Sequence, residues 1–278
     1  MTDSLPRTVL IAGCGYVGLA LCRHLHAAGC AVWGLRRDPN AAGLIVEAGG
    51  APVIADLLRP ETLASLPPVE AVVSCQAPRR GRDGYRETYL EATRNLLLAL
   101  ERRPPKTLLC ISSTRVYGEA RGAWVDEATP PEPDSDEGRI LLEAERLVLS
   151  SSIPSMVLRL AGIYGPGRDR RRLLSAPQET SELSGYLNQI HLDDVVGVIA
   201  LLLSRGTPGE VYLGVDEEPV SKAVFYPWLA EQAGIDWPTR AGAPAAPSGK
   251  RCSNRKLKAL GYRFRHPDFR SGFPAWYT

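Results

Sequence analysis

The sequence predicts an α/β chain, a doubly wound parallel sheet with a small C-terminal lobe. Three observations carry this expectation. An apolar strand, Thr8-Val9-Leu10-Ile11-Ala12, runs straight into Gly13-x-Gly15-x-x-Gly18, and a helical pattern follows at once. Near-continuous apolar runs then alternate with helical patterns through the first two thirds of the chain, as in a parallel sheet covered on both faces. From about residue 205 the alternation gives way to short elements and a Pro/Ala/Gly-rich stretch.

The elements follow in order. Strands are expected at 8–12, 31–35, 52–55, 70–75, 107–112 and 155–160, and helices at 16–28, 40–48, 85–103, 136–151 and 192–204. Right-handed crossovers join such units into one sheet. A short strand at 210–215, a helix at 220–233 and a loop at 238–249 complete the chain. The sheet domain is expected over 1–165, also receiving 186–214, with 166–185 and 215–278 as the small lobe. Leu96, Leu97, Leu100, Leu142 and Leu149 lie on two of the helices; they read as core, with a homodimer through the helix pair as the alternative.

Composition narrows the function classes. The 278 residues, 44% of them hydrophobic, suffice for one large α/β domain and a small lobe. A net charge of +2 gives no electrostatic reason to expect nucleic acid or an anionic membrane as partner. The six cysteines form no CxxC pair, so neither a zinc site nor a redox motif is expected, and no metal. They read as small buried hydrophobes, with Cys14 in the glycine turn the one for which partial exposure stays open. The N-terminus lacks the apolar stretch of a signal peptide, and no segment reaches membrane-spanning length, so the expectation is a soluble cytoplasmic protein.

The glycine spacing at the end of the first strand is the dinucleotide-binding fingerprint of a Rossmann sheet. Gly13 permits the tight turn, Gly15 lets the backbone approach a pyrophosphate, and Gly18 lets the helix pack on the sheet. The amides of Tyr16, Val17 and Gly18 then open the helix toward the phosphates. The second strand ends at Arg36-Arg37, where an NAD-binding chain carries an acidic residue for the ribose hydroxyls. Paired arginines grip a 2′-phosphate instead, which predicts NADP, with NAD as the alternative. Asp56-Leu57 after the third strand is placed at the adenine, where Asp56 either accepts from the amino group or caps the next helix. Gln76-Ala77 after the fourth strand is placed beneath the adenosine ribose.

Three later segments resemble the extended short-chain dehydrogenase/reductase superfamily, the NAD-dependent epimerase/dehydratase group. Ser112-Ser113-Thr114-Arg115-Val116-Tyr117-Gly118 is similar to its SS-x-x-VYG motif, Arg159 to Arg168 to its R-x-x-x-IYGPGR segment, and Asn188-Gln-Ile-His191-Leu-Asp193-Asp194-Val to its N-x-(I/V)-H-x-D-D-V segment. Residues 249–264 are similar to the K-R-x-S-N-x-K-L-x-x-LG-(W/Y) tail of its atypical members. The resemblance gives Ser113 a substrate oxygen to hold and sets Ser112 beside the cofactor. Tyr164 is placed toward a small-molecule substrate, sugar-like or anionic; Arg168, which opens the basic run Arg168-Asp-Arg-Arg-Arg172, either contacts that substrate or belongs to a solvated loop, and Arg251 or Lys250 faces the cleft. His191 is read as holding structure.

The resemblance also implies a Tyr-x-x-x-Lys pair on the helix after the fifth strand, one turn apart on one face. Here Glu137 stands at the tyrosine position and Leu141 at the lysine position, and no Tyr-x-x-x-Lys occurs anywhere in the chain. A replacement acid is then needed, with Glu137, Tyr117 and Tyr164 as candidates. A first-turn glutamate that stabilises its helix is the other reading of Glu137. Two functions remain: an NAD(P)-dependent reductase- or epimerase-like enzyme with a non-standard acid, or a non-catalytic NADP(H)-sensing protein. At the tail, Ser253 or Asn254 is expected to cap a short helix ending at Gly261, and Phe269, Phe273, Trp276 and Tyr277 to pack.

Overall fold

The computed structural model describes residues 4–78, 84–168, 174, 183–236 and 247–273. The strands are β1 (Thr8–Ala12), β2 (Ala31–Arg36), β3 (Ala51–Ile54), β4 (Ala71–Ser74), β5 (Thr107–Ser113), β6 (Trp124–Val125), β7 (Ser155–Leu160), β8 (Gly162–Tyr164), β9 (Tyr186–Leu187), β10 (Gln189–His191), β11 (Val211–Gly214), β12 (Val220–Ser221) and β13 (Arg251–Cys252). The helices are α1 (Tyr16–Ala27), α2 (Ala42–Glu47), α3 (Ala92–Leu100), α4 (Asp136–Leu149), α5 (Leu192–Arg205), α6 (Lys222–Ala233), α7 (Arg255–Ala259) and α8 (Phe269–Gly272).

Seven strands form one sheet in the order β11-β7-β5-β4-β1-β2-β3. The pairs β3–β2, β2–β1, β1–β4 and β4–β5 are parallel. The order reverses between β1 and β4, which makes the carboxyl ends of those strands the binding crevice of a doubly wound sheet. Burial explains the apolar runs: Val9, Leu10, Ile11 and Ala12 of β1 are fully buried, and β4 and β7 are buried along their length. The edge strand β3 exposes Ala51, Pro52 and Ile54, and a proline is tolerated on an edge. Leu96, Leu97 and Leu100 of α3 pack with Leu10, Val72 and Leu108 in the main core, and Leu142 of α4 is buried. These leucines therefore serve the interior.

The helix expected over 85–103 is not uniform. One turn of π-helix, Glu87–Glu91, precedes α3. At α4 the expected start holds: Ser135 Oγ accepts from the Gly138 N–H at 3.2 Å, and Asp136 and Glu137 occupy the first turn.

The chain divides into two units. The first comprises Met1–Val116, Ser135–Arg159 and Val196–Tyr212; the second comprises Tyr117–Asp134, Leu160–Val195 and Leu213–Thr278. The second unit has its own core, in which Tyr164, Phe225, Leu229, Phe269 and Phe273 are fully buried. Phe273 stacks on Tyr164 with ring centroids 4.8 Å apart and planes at 8°. Phe269 and Phe273 thus pack as expected, while Trp276 and Tyr277 lie outside the described residues, as does most of the loop expected at 238–249. Asn254 stands at the N-cap of α7 but caps nothing with its side chain; its Nδ2 donates to the carbonyls of Val215 and Asp216. Ser253 Oγ accepts from the Arg255 N–H at 3.4 Å, and Gly261 follows the helix at φ +99°. Among the described residues no helix is long and apolar enough to cross a membrane.

Candidate functional site

In the first unit the glycine turn is built around one backbone constraint. Gly13 has φ +88°, and a Cβ there would sit 2.6 Å from the Gln76 backbone nitrogen. Only glycine satisfies both conditions. The turn is tied to β2 by Gly13 and Cys14 amides donating to the Leu35 carbonyl at 3.3 and 3.0 Å. A Cβ on Gly18 would meet the Gly13 carbonyl oxygen and Ile11 Cγ2 at 3.0 Å, so its absence sets how closely α1 approaches the sheet. No side chain caps α1, whose first-turn residues are Tyr16, Val17 and Gly18. A helix entered this way offers its leading amides to an anion.

Cys14 is fully buried, which corrects the option of partial exposure. The neighbouring Cys22 thiol and burial raise its pKa, so it is no nucleophile.

Arg36 lies across this turn. Its Nη1 donates to the Cys14 carbonyl at 2.8 Å and stands 3.5 Å from where a Gly15 Cβ would be. Arg37 is exposed. The carboxylate that follows, Asp38, is turned away into a local cap, accepting from the Asn40 backbone and side-chain nitrogens at 3.0 and 3.1 Å. Asp56 Oδ1 accepts from the Leu58 N–H at 3.0 Å, a turn-forming role, and the Leu57 carbonyl accepts from Asn95 Nδ2 at 2.8 Å. Gln76 donates through Nε2 to Thr93 Oγ1 at 3.0 Å, while its Oε1 is buried with no partner; Ala77 beside it is exposed. A cradle that excludes a Cβ, an uncapped helix start and an orphaned amide oxygen together fit a dinucleotide at the carboxyl ends of β1 and β4.

The end of β5 holds the second set of candidates. Ser113 Oγ accepts from the Arg115 N–H at 3.2 Å, which leaves its own proton to donate. Ser112 differs. Its hydroxyl donates to Glu145 Oε1 at 2.5 Å, inside the protein, so the side chain placed at the cofactor holds the fold instead. Glu145 in turn takes three bonds from Arg159: Nε to Oε1 and to Oε2, each at 3.1 Å, and Nη2 to Oε2 at 2.7 Å. The two side chains are 2% and 5% exposed. Sequence reading missed this pair, although both members break the rule of their element. Glu145 interrupts the apolar face Leu141, Leu142, Ala144, Val148 of α4, and Arg159 lies in a wholly buried strand. Two opposite charges on buried faces are the signal for such a pair. Glu137 is 45% exposed and 4.0 Å from Arg115, and Leu141 is buried.

In the second unit four expected site residues are already engaged. The Tyr117 hydroxyl donates to the Asp126 carbonyl at 2.7 Å in a buried setting, which corrects its reading as a catalytic acid. Tyr164 is fully buried and donates to the Asp268 carbonyl at 3.1 Å, so it belongs to the core and not to a substrate surface. Arg251 Nε donates to the Gly122 carbonyl at 2.7 Å, and its guanidinium lies 5.1 Å over Trp124 and 5.2 Å over Tyr186, which fixes the side chain within this unit. Lys250 Nζ donates to the Tyr117 carbonyl. Arg168 Nη1 donates to the Ile163 carbonyl at 3.1 Å, and the basic residues after it lie outside the described residues.

His191 Nδ1 accepts from the Asp193 N–H at 3.1 Å, in line with a structural role. Burial and the neighbouring His266 lower its pKa to about 4. His191, Asp193 and His266 bring metal-ligating atoms within 4.8 Å of one another, but the Nδ1 lone pair of His191 is engaged by that backbone bond. Asp194 organises the tail: Oδ1 accepts from Tyr262 Oη at 2.9 Å and the Arg265 N–H at 2.7 Å, and Oδ2 from the His266 N–H at 2.9 Å.

Comparison with known proteins agrees with this geometry. Residues 9–213 match the model of the NAD dependent epimerase/dehydratase family. Protein YeeZ of Escherichia coli (strain K12) is 31% identical over 272 residues, covering 94% of this chain and 97% of that protein. The 3-diazoavenalumate denitrifying reductase of a Streptomyces species is 28% identical over 308 residues, covering 95% and 98%. A structure from Methylobacillus flagellatus, described by the same epimerase/dehydratase family name, superposes with a TM-score of 0.81 at 38% identity over 98% of this chain and 97% of that one.

Proposed function

The chain belongs to the NAD dependent epimerase/dehydratase family, and from that premise we propose that it is a reductase that prefers NADP(H) and acts on a small anionic or sugar-like carbonyl compound. The observation that carries the cofactor preference is Arg36, anchored on the Cys14 carbonyl beside Gly15 with Asp38 turned away. A guanidinium so placed favours a 2′-phosphate, whereas a carboxylate there would repel it. Two curated relatives, the denitrifying reductase and a ketoreductase of Stigmatella aurantiaca, support reduction over epimerisation.

The bound cofactor supplies hydride. The chain's own part is to bind, orient and move a proton. The glycine turn and the start of α1 hold the pyrophosphate, Gln76 offers its orphaned oxygen, and Ser113 donates its hydroxyl to the substrate oxygen. The test is loss of reduced-nicotinamide absorbance with NADPH across a panel of small aldehydes, keto acids and sugar derivatives. Turnover should fall about 10²-fold in Ser113→Ala, the scale for losing one oxyanion donor, with NADPH affinity unchanged. A Ser113→Ala variant as fast as the parent removes Ser113 from the chemistry.

A second reading, a non-catalytic NADP(H) sensor, is favoured by Leu141, a buried apolar side chain where a ribose-holding lysine is expected. It requires NADPH and NADP⁺ to bind with different affinities, and no turnover on the panel.

A further inference from the structure

We propose that Tyr85, held by Tyr89 on the π-turn ahead of α3, is the proton donor that replaces the missing tyrosine of α4; this deepens, and rests on, the reductase reading above. Tyr85 and Tyr89 are four residues apart, so they share a face, and their ring centroids lie 4.7 Å apart. Tyr89 belongs to the turn Glu87–Glu91, whose wider π winding re-aims side chains and is concentrated at functional sites.

Both phenols are half-buried. Tyr89 lines a cavity of about 10 Å³, room for one water, together with Gln76, Ser112, Leu141 and Glu145. The orphaned Gln76 oxygen belongs to a residue of the same cavity wall. Tyr85 stands in the field of Arg115 and Glu137. The π-turn packs on α4, so the pair stands beside Leu141, the position where the family carries its lysine.

Competing donors are engaged or solvated. Glu137 is an exposed ion pair with Arg115, and the hydroxyls of Tyr117 and Tyr164 donate to backbone carbonyls. Burial raises the pKa of Tyr85; Arg115 and the Tyr89 hydroxyl oppose that effect, and Glu137 adds to it. The phenol is thus protonated at neutral pH, and a cation faces the charge it leaves behind. In the reduction of a carbonyl, hydride from the reduced nicotinamide forms the new C–H bond and the π pair moves to oxygen. The Tyr85 O–H bond breaks as an O–H bond forms on the substrate. The phenolate recovers its proton from water.

The test needs no substrate. 3-Fluorotyrosine placed site-specifically at position 85 is followed by fluorine NMR through a pH titration, with cofactor binding measured by calorimetry on the same sample. NADP⁺ brings a cationic ring that NADPH lacks. A positive charge beside the phenol should lower the Tyr85 midpoint with NADP⁺ relative to NADPH, by about one pH unit. Tyr89→Phe, which deletes the hydroxyl that interacts with Tyr85, should raise the midpoint. A Tyr85 signal indifferent to a cofactor that calorimetry shows bound overturns the proposal and leaves the reductase reading standing. If calorimetry finds no nucleotide bound, both fall together.

Discussion

Breaking the buried pair under the end of β5 tests the energetics of the first unit. Glu145 holds four charge-assisted hydrogen bonds, three from Arg159 and one from Ser112, at 2–5% side-chain exposure of the ion pair. Glu145→Ala leaves the Arg159 guanidinium buried without its counter-charge, and the scale for that is about 3–5 kcal/mol. Ser112→Ala removes only the short hydroxyl bond, and the scale for a hydrogen bond to a charged group is about 1.5–3 kcal/mol. The two losses share a partner, so they should not add. The double variant Glu145→Leu/Arg159→Met should recover most of the loss, since an apolar pair of similar volume avoids the desolvation of both charges. Urea unfolding supplies the comparison: the midpoint should fall with little change in slope. Ser112→Ala should also leave nucleotide affinity unchanged, because its hydroxyl faces Glu145. A Glu145→Ala protein within about 1 kcal/mol of the parent would show that the buried pair does not carry this energy, as would a double variant no better than the single one.

Three further outcomes follow from the structure. Gly13→Ala meets both φ +88° and the Gln76 backbone at 2.6 Å, so it should abolish nucleotide binding in calorimetry and lower stability by more than about 1 kcal/mol. His191 is held neutral, its folded value lowered from 6.5 to about 4. The unfolded chain then binds more protons between those values, so stability falls as pH drops from 6.5 to about 4, by up to about 3 kcal/mol, and His191→Asn should flatten that limb of a stability–pH curve. Burial holds the Asp216 carboxyl well above the ordinary range, the opposite sign: the folded state keeps the proton, and stability is lost as pH rises from about 4 through the folded value. Asp216→Asn should therefore gain on the parent as pH rises and lose that advantage toward pH 4; a gain constant with pH would contradict the assignment.

What the sequence disclosed depends on how local each signal is. The glycine turn was legible because strand, turn and helix start fall within eleven residues, and each glycine answers a backbone need. The doubly wound sheet was legible in the alternation of apolar strands and helical patterns. The seating of Arg36 on Cys14 was half legible: its charge at the strand end could be read, its anchor 22 residues away could not. Tyr117 and Tyr164 were read as acids from motif position, yet their acceptors lie 9 and 104 residues distant. The π-turn at Glu87–Glu91 carries no periodic signature, so the segment read as one leucine-rich helix and its two tyrosines passed unnoticed. Glu145 and Arg159 were visible as charges on buried faces, but only the fold brings them together across 14 residues.

The NADP preference proposed for the glycine turn and Arg36 is open to a direct binding measurement. Calorimetric titration of the parent and of Arg36→Asp with NADPH, NADP⁺, NADH and NAD⁺ tests it most directly. The parent should bind the phosphorylated pair at least about tenfold tighter, a difference of about 1.4 kcal/mol. Arg36→Asp should lose that preference while keeping its affinity for NADH. Tighter binding of NADH by the parent, or a preference untouched by the substitution, would contradict the claim.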